Sequence, residues 1–484
     1  MARARLLALL VLCLLPGACA VGPNYHAPDM HVPERFPESA SVSTEPDVDL
    51  SQWWQRFDDP ELQSLVTRSL DSNLDLQTAA SRIRQARAQE AIAGSAELPS
   101  VTATGAGVYM RSRSNPLGAL AGGGGGGESG SAGAQSDGAH TTKIFSAGFD
   151  ALWELDVFGG TRRGIEAAHA AADASTWKFR DAQVSLSAEV AIDYLSLCAT
   201  RTRLRIARDA VQRQQDALDL LDARRRSGLI TELDVNQQRA QLATTRAELP
   251  ALEAEARAMT HALGVLLARD PESLVAEVAQ AERLPDVPAT LPAGLPSDLL
   301  RRRPDVRAAE RTLAAATAEI GVAVSDLYPK FNLLGIASFT NDSPDSLLST
   351  NRLNRIGVGL VRWPLLQGGR TRAQIRISEE QRQQAYLAYQ KSVLAAVRDA
   401  DDAIARFDAG QARLETLREA ETAAASSLDI ARAQASNGLV PYLNVLYAET
   451  TLLDVQNQIA QSRLALAQSM VSLFKALGGG WAAR

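Results

Sequence analysis

Thiol and imidazole groups are scarce in this chain, and Cys19 is the one placed for a covalent reaction. Arg3 and Arg5 precede an apolar run from Leu6 to Leu15, and Pro16-Gly17-Ala18-Cys19 follows. A basic start, a short apolar stretch and small residues before a cysteine read as a secretory signal over residues 1–18. The apolar run is too short to span a bilayer. In a bacterial lipobox the cysteine at such a cleavage point is acylated and becomes the new N-terminus. Cys19 is therefore the expected lipidation site, and residues 19–50 an acylated, Pro-rich tether. The competing reading is an ordinary signal that happens to contain Cys19.

The other reactive groups point away from catalysis. Cys13 leaves with the signal, so Cys198 has no partner for an internal disulfide. It lies in the apolar stretch Tyr194-Leu195-Ser196-Leu197-Cys198 and is expected to be a buried thiol. His26, His31, His140, His169 and His261 show no metal-ligand spacing. The glycine run Gly122–Gly127 is not followed by Gly-Lys-Ser/Thr, so it does not form a phosphate loop. No catalytic residue, metal or cofactor is expected, and the chain does not read as an enzyme. A net charge of -6 without a basic stripe argues against nucleic acid as a partner.

The elements that carry these residues are long. Arg162 to Arg226 and Arg370 to Ser436 are helical runs without a proline. At ~1.5 Å rise per residue each forms a rod on the order of 100 Å long. In the first, Val190, Leu197, Leu204, Val211 and Leu218 keep seven-residue spacing, and in the second Tyr386, Val393, Ala400, Phe407 and Leu414 do likewise. Both rods end alike, at Ser227-Gly228-Leu229 and Asn437-Gly438-Leu439, with Thr231 and Pro441 placed to start a returning helix. These are two helical hairpins with matched tips at 227–234 and 437–444. Pro250 is expected to bend the first return.

The match extends upstream. Asn73-Leu74-Asp75 and Arg303-Pro304-Asp305 each precede helix-like sequence that ends at a proline, Pro99 and Pro329. The chain is a direct duplication, with the Gly/Ser-rich insertion around Arg111 to His140 confined to the first copy. The first copy spans 51–270, a Pro-rich linker 271–296, the second copy 297–477 and a flexible tail 478–484. The pair Trp53-Trp54 is expected to pack internally.

Each copy also holds two strand candidates, 98–110 and 144–158 in the first, 330–340 and 355–365 in the second. From Phe145 to Val157 apolar side chains alternate with Ser146, Gly148, Asp150, Glu154 and Asp156. Such a strand has one face in lipid or core and one in water. No stretch of 18 apolar residues follows the signal, which excludes a helical membrane protein. Four strands cannot close a barrel, and an open edge in hydrocarbon leaves backbone groups unpaired. Several chains sharing a barrel resolves that conflict; two, three or four copies are all allowed by these arguments.

At this point a resemblance is legible. Cys19-Ala20-Val21-Gly22-Pro23-Asn24-Tyr25, Trp53-Trp54 with Asp59-Pro60, Arg301 through Glu310, Leu327-Tyr328-Pro329, and Gly438-Leu439 with Tyr442-Leu443 and Val445-Leu446 resemble the TolC-like outer-membrane efflux proteins. The specific likeness is to the lipoprotein channels that serve resistance-nodulation-division pumps, and it covers essentially the whole mature chain. The resemblance implies an α+β membrane fold, in which four strands per chain contribute to a 12-stranded barrel of a homotrimer and the long hairpins form a periplasmic α-barrel. It implies a passive duct in the outer membrane that carries small molecules outward. The partners it implies are a periplasmic adaptor, an inner-membrane transporter and outer-membrane lipid.

It also implies a closable iris at the tips. Asp234 matches a family aspartate; Asn444 and Tyr447 stand where some relatives carry acids, so that closure can instead involve Tyr442, Leu443 and Tyr447. Simple helix capping by Asp234 and Asn444 is the competing reading. Gly228, Leu229, Gly438 and Leu439 are the implied adaptor contacts. The alternative function is a periplasmic coiled-coil lipoprotein that serves as adaptor or spacer without a pore. The cargo is not legible from the residues.

Overall fold

A computed structural model of the chain describes residues 20–30, 42–43, 50–112, 140–280, 283–288, 291–292, 302–347 and 353–481. The signal, Cys19 and the Gly/Ser-rich insertion lie outside them.

The strands are β1 (Val42–Ser43), β2 (Ser100–Ser112), β3 (His140–Leu155), β4 (Leu291–Pro292), β5 (Lys330–Asn341) and β6 (Leu353–Arg362). The helices are α1 (Pro60–Ser72), α2 (Leu74–Ser95), α3 (Gly160–Arg226), α4 (Glu232–Leu266), α5 (Pro271–Val275), α6 (Pro304–Ser325), α7 (Arg370–Ser436) and α8 (Leu443–Ala476). Two compact units comprise these elements: residues 1–25, 88–169 and 314–383 in one, and 26–87, 170–313 and 384–484 in the other.

The first unit is built on an antiparallel sheet of order β2-β3-β5-β6. Its edges are β2 and β6. β3 ends at Leu155, short of the expected 158, because Asp156 turns away to cap α3. The Asp156 carboxylate accepts from the backbone N–H groups of Thr161 at 3.2 Å and Arg162 at 3.0 Å. β6 stops at Arg362 rather than 365, since Pro364 has no N–H to give to a ladder.

The second unit holds the main core. Trp53, Leu62, Leu65, Leu195, Leu197, Leu263, Phe407 and Phe474 are fully buried there. Each such side chain contributes about 1.5–3 kcal/mol of burial. Trp53 stacks on Phe474 with centroids 5.2 Å apart and meets Trp54 edge-on at 5.8 Å. Asp59 caps α1 through the N–H groups of Glu61 and Leu62, and also accepts from the Tyr194 hydroxyl at 3.0 Å. Pro250 sits inside α4 without ending it.

Two expectations are corrected here. The Pro-rich 271–296 is not a bare linker: Leu274, Val278 and Leu284 enter the core cluster, and Asp270 caps α5. The tail expected from 478 onward is packed at its start. Gly479 N–H donates to Phe474 O and Gly480 N–H to Leu50 O, both at 2.9 Å. Three glycines, which the sequence suggests are loose, fit here because an added Cβ on Gly480 would stand 2.6 Å from the Ser187 hydroxyl.

The duplication persists at the level of single hydrogen bonds. Asn73 Nδ2 donates to the carbonyl of Leu266 at 2.9 Å, and Arg303 Nη1 to the carbonyl of Ala476 at 3.2 Å. Trp153 Nε1 donates to Glu97 O and Trp363 Nε1 to Leu327 O, both at 3.0 Å. In each pair the upstream partners (73 and 303, 97 and 327) are offset by 230 and the downstream ones (266 and 476, 153 and 363) by 210. Two copies of one polypeptide plan therefore place equivalent side chains on equivalent carbonyls.

Candidate functional site

Backbone pairing decides which side chains share a face of the sheet. Phe149 lies opposite Ala103 and Ala337, Ala151 opposite Val101 and Gly335, and Trp153 opposite Leu333. Leu333 in turn faces Gly359, and Phe331 faces Val361. One face thus carries Val101, Tyr109, Phe145, Phe149, Trp153, Phe331, Leu333, Phe339 and Val361, with alanine and glycine between them. Its polar members, among them Arg355, Asn341, Lys143 and Thr141, lie toward one end. The opposite face carries Thr102, Thr104, Ser146, Asp150, Glu154, Asn332, Ser338 and Asn354, mixed with aliphatics, and Thr104 Oγ1 donates to Asp150 Oδ2 there at 3.2 Å.

The apolar face is open. Val101, Tyr109 and Val361 are about two-thirds exposed and Phe149 is 61% exposed. A sheet of this kind needs lipid on one face and tolerates water on the other. Trp153 and Trp363, each with its indole N–H satisfied at the helix end of the strands, have the form of interfacial aromatics.

The N-terminal segment is fastened to the same unit. Arg163, 4% exposed, donates to Val21 O at 3.2 Å and Asn24 Oδ1 at 2.6 Å, and pairs with Glu166 at 2.7 Å. Val21 N–H donates to Phe158 O at 3.1 Å. Gly22, at φ 90°, lies against Gly321 so closely that a Cβ would come within 2.5 Å of its Cα. The chain that follows Cys19 is thereby held at the junction of β3 and α3.

At the tips the two hairpins close in the same way. Leu229 N–H donates to Arg224 O and Leu439 N–H to Gln434 O, both at 3.0 Å, with Gly228 at φ 76° and Gly438 at φ 73°. Asp234 is engaged as a cap: its Oδ2 accepts from Thr231 N–H at 3.0 Å and Thr231 Oγ1 at 2.7 Å. Asn444 makes no such cap: it lies inside α8, whose N-cap residue is Tyr442 and carries no side-chain capping bond. A cleft of about 610 Å³ brings Leu229, Asp234, Gly438 and Tyr442 together. Tyr442 packs on Leu218, Leu221, Val235 and Leu242, and burial pushes its hydroxyl up to about 12. Leu443 is half-buried, whereas Asn444, Tyr447, Gly228 and Leu439 are exposed outside that cleft.

Comparison with known proteins settles what this combination is. The model of the family described as "Outer membrane efflux protein" matches residues 65–269 and 295–479. The chain belongs to the outer membrane efflux protein family. The two matched stretches correspond to the two copies. The chain is 33% identical to the pyoverdine export outer membrane protein OpmQ of Pseudomonas aeruginosa, over 98% of this chain and 97% of that protein. It is 31% identical to nodulation protein T of Rhizobium leguminosarum bv. viciae, over 99% and 94%. Among solved structures it is similar to the outer-membrane channel OprN, with a TM-score of 0.87, 31% identity, and coverage of 96% of this chain and all of that one. CusC follows a similar course, with a TM-score of 0.80 and 25% identity.

This family member is an outer-membrane efflux channel, and the spacer reading without a pore does not stand. Its strands belong to a β-barrel and its long helices to a helical barrel, as in those neighbours.

Its family motifs turn out to be structural. Arg303 holds Asp305 at 2.7 Å and Asp399 at 3.4 Å, and Glu310, 6% exposed, takes both Arg307 and Arg311. Arg307 and Arg180 lie over the Trp177 ring at 5.2 and 4.3 Å. Sequence reasoning overlooked Glu449, which stands with Val445 and Leu453 at four-residue spacing on the buried stripe of α8. A carboxylate interrupting an apolar stripe was the available signal.

Proposed function

We propose that the chain works as a homotrimeric duct, each protomer supplying β2, β3, β5 and β6 to a barrel of twelve strands. The observation that carries this is the four-stranded sheet with an open apolar face and two edges, β2 and β6, that no strand of the chain covers among the described residues. In hydrocarbon each unpaired backbone group costs several kcal/mol, so copies of the chain must cover one another's edges. Family membership supports the same number of copies.

The duct is passive and has no catalytic chemistry of its own. It is continued toward the inner membrane by a periplasmic adaptor and a proton-driven transporter, which supply the energy; its relatives that carry efflux-pump names support that pairing. The tips carry the contacts: Gly228 and Gly438 expose bare backbone beside Leu229 and Leu439, which are 73% and 74% exposed. Closure of the duct falls to the cleft around Asp234 and Tyr442, with Leu443, Asn444 and Tyr447 on the same tip. Cys19 is acylated after removal of 1–18, and the fastening of Val21 and Asn24 by Arg163 holds that anchor beside the strands.

Single-channel recording of the purified protein in a planar bilayer tests the duct. Discrete conductance steps are expected; a protein that stays silent although inserted would refute it. Labelling with a palmitate analogue tests the anchor, with incorporation expected in the native chain and none in Cys19→Ser.

A further inference from the structure

A second cleft, of about 450 Å³, lies between α3, α7 and α8 above the tips. Its walls are Arg213, Asp216, Ala217, Leu220 and Arg224 from α3, Arg432 from α7, and Tyr442, Val445 and Glu449 at the start of α8. That volume is within the range of small-molecule sites, and the lining mixes apolar side chains with a few charges, as such sites do. Both hairpins contribute, so an occupant would bridge them.

The charges are unbalanced. Among the described residues none of the Arg213, Arg224 and Arg432 guanidiniums is paired with a carboxylate within 4.0 Å. Asp216 is already engaged, accepting from Gln212 at 2.9 Å. Glu449 is 5% exposed, and among the described residues its Oε1 has no hydrogen-bond partner. A buried polar atom left unpaired costs about 1–3 kcal/mol, and the ordinary remedy is a ligand atom or water. Three guanidiniums against two carboxylates favour an anion, and the Leu220, Val445 and Tyr442 walls favour one with an apolar body.

We propose that this cleft is a binding site for a small amphipathic anion, its carboxylate or phosphate held by Arg213 and Arg432 and its apolar part against Leu220 and Val445. Protonated Glu449 donates its hydroxyl to that anion, while ionised Glu449 repels it. Desolvation raises the Glu449 carboxyl above its ordinary value, against the lowering influence of Arg432 and Arg213. Arg224, Asp216 and Tyr442 complete the charged and titratable groups facing it. Falling pH adds the proton and strengthens binding by linkage.

The test uses the purified full-length channel in a nonionic detergent and the probe 2-naphthoate, by equilibrium dialysis against micelles alone. Saturable uptake above the micelle blank is expected, at least about threefold tighter near pH 5.5 than near pH 7.5. Arg213→Gln and Arg432→Gln each weaken it by about tenfold or more. Glu449→Gln binds near neutral pH as the native protein does in acid, and loses the pH response. The uncharged 2-naphthylmethanol shows no saturable uptake. No excess over micelles, equal uptake of the alcohol, or a pH response that survives in Glu449→Gln overturns the assignment. If Glu449→Gln does not assemble, Arg432→Gln at an exposed position decides: undiminished affinity there overturns the site as well.

Discussion

Asp234 and Cys198 show how one side chain can be read two ways until its neighbours are known. Asp234 matches a family position associated with closure, yet its carboxylate is already spent on Thr231 N–H and Oγ1. If capping is its role, Asp234→Ala costs about 1 kcal/mol of local helix stability. Hydrogen exchange in 231–236 should then quicken with conductance unchanged, whereas a role in closure predicts a larger open-channel conductance from the same variant. Cys198 is fully buried, and desolvation pushes its thiol up to about 12. The thiolate is the reactive form, so the native protein near pH 8 should resist a maleimide that labels it fully once unfolded. Prompt native labelling would contradict the burial.

Among the elements, the sheet makes the sharpest demand. Phe149 lies on the apolar face and Thr102 on the other, although both are exposed in the single chain. Phe149→Arg puts a guanidinium into hydrocarbon at a cost of up to about 4 kcal/mol, while Thr102→Arg should be tolerated. Heat-modifiable mobility on gels, a measure of the folded barrel, should fall for the first variant and not for the second. At the tips, Gly228→Ala and Gly438→Ala force an alanine to positive φ with open space around it, so each costs about 1 kcal/mol from backbone strain alone. Amide exchange at 224–230 and 434–440 reads that cost.

Most of this scaffold was legible because helices, tips and alternating strands are local patterns, set by residues such as Gly228, Gly438 and the series Phe145 to Leu155. What was not legible depends on long-range contacts. Nothing near Gly480 in sequence announces that Leu50 will accept its N–H group. Leu274, Val278 and Leu284 looked like linker because prolines surround them, but burial is decided by α4 and the core cluster beside them. The placing of Glu449 in one cleft with Arg213 and Arg432 from two other helices was hidden for the same reason.

For the whole molecule, the central claim is that a chain with four strands is a fraction of a barrel. β2 and β6 run antiparallel within the order β2-β3-β5-β6, so β6 of one protomer can meet β2 of the next in the same sense. The 230 and 210 offsets of the two copies carry the Ala151–Gly335 pairing of β3 with β5 over to β6 and the next protomer's β2, which sets Val361 opposite Gly105, both on the apolar face. Cys198, being buried, leaves the background quiet. The most direct measurement is thiol cross-linking of the doubly substituted Gly105→Cys, Val361→Cys channel in outer membranes, read by denaturing electrophoresis. A ladder of one, two and three linked chains is predicted, with nothing above three. A cross-link that forms only within single chains, or a ladder that climbs beyond three, would contradict the shared barrel.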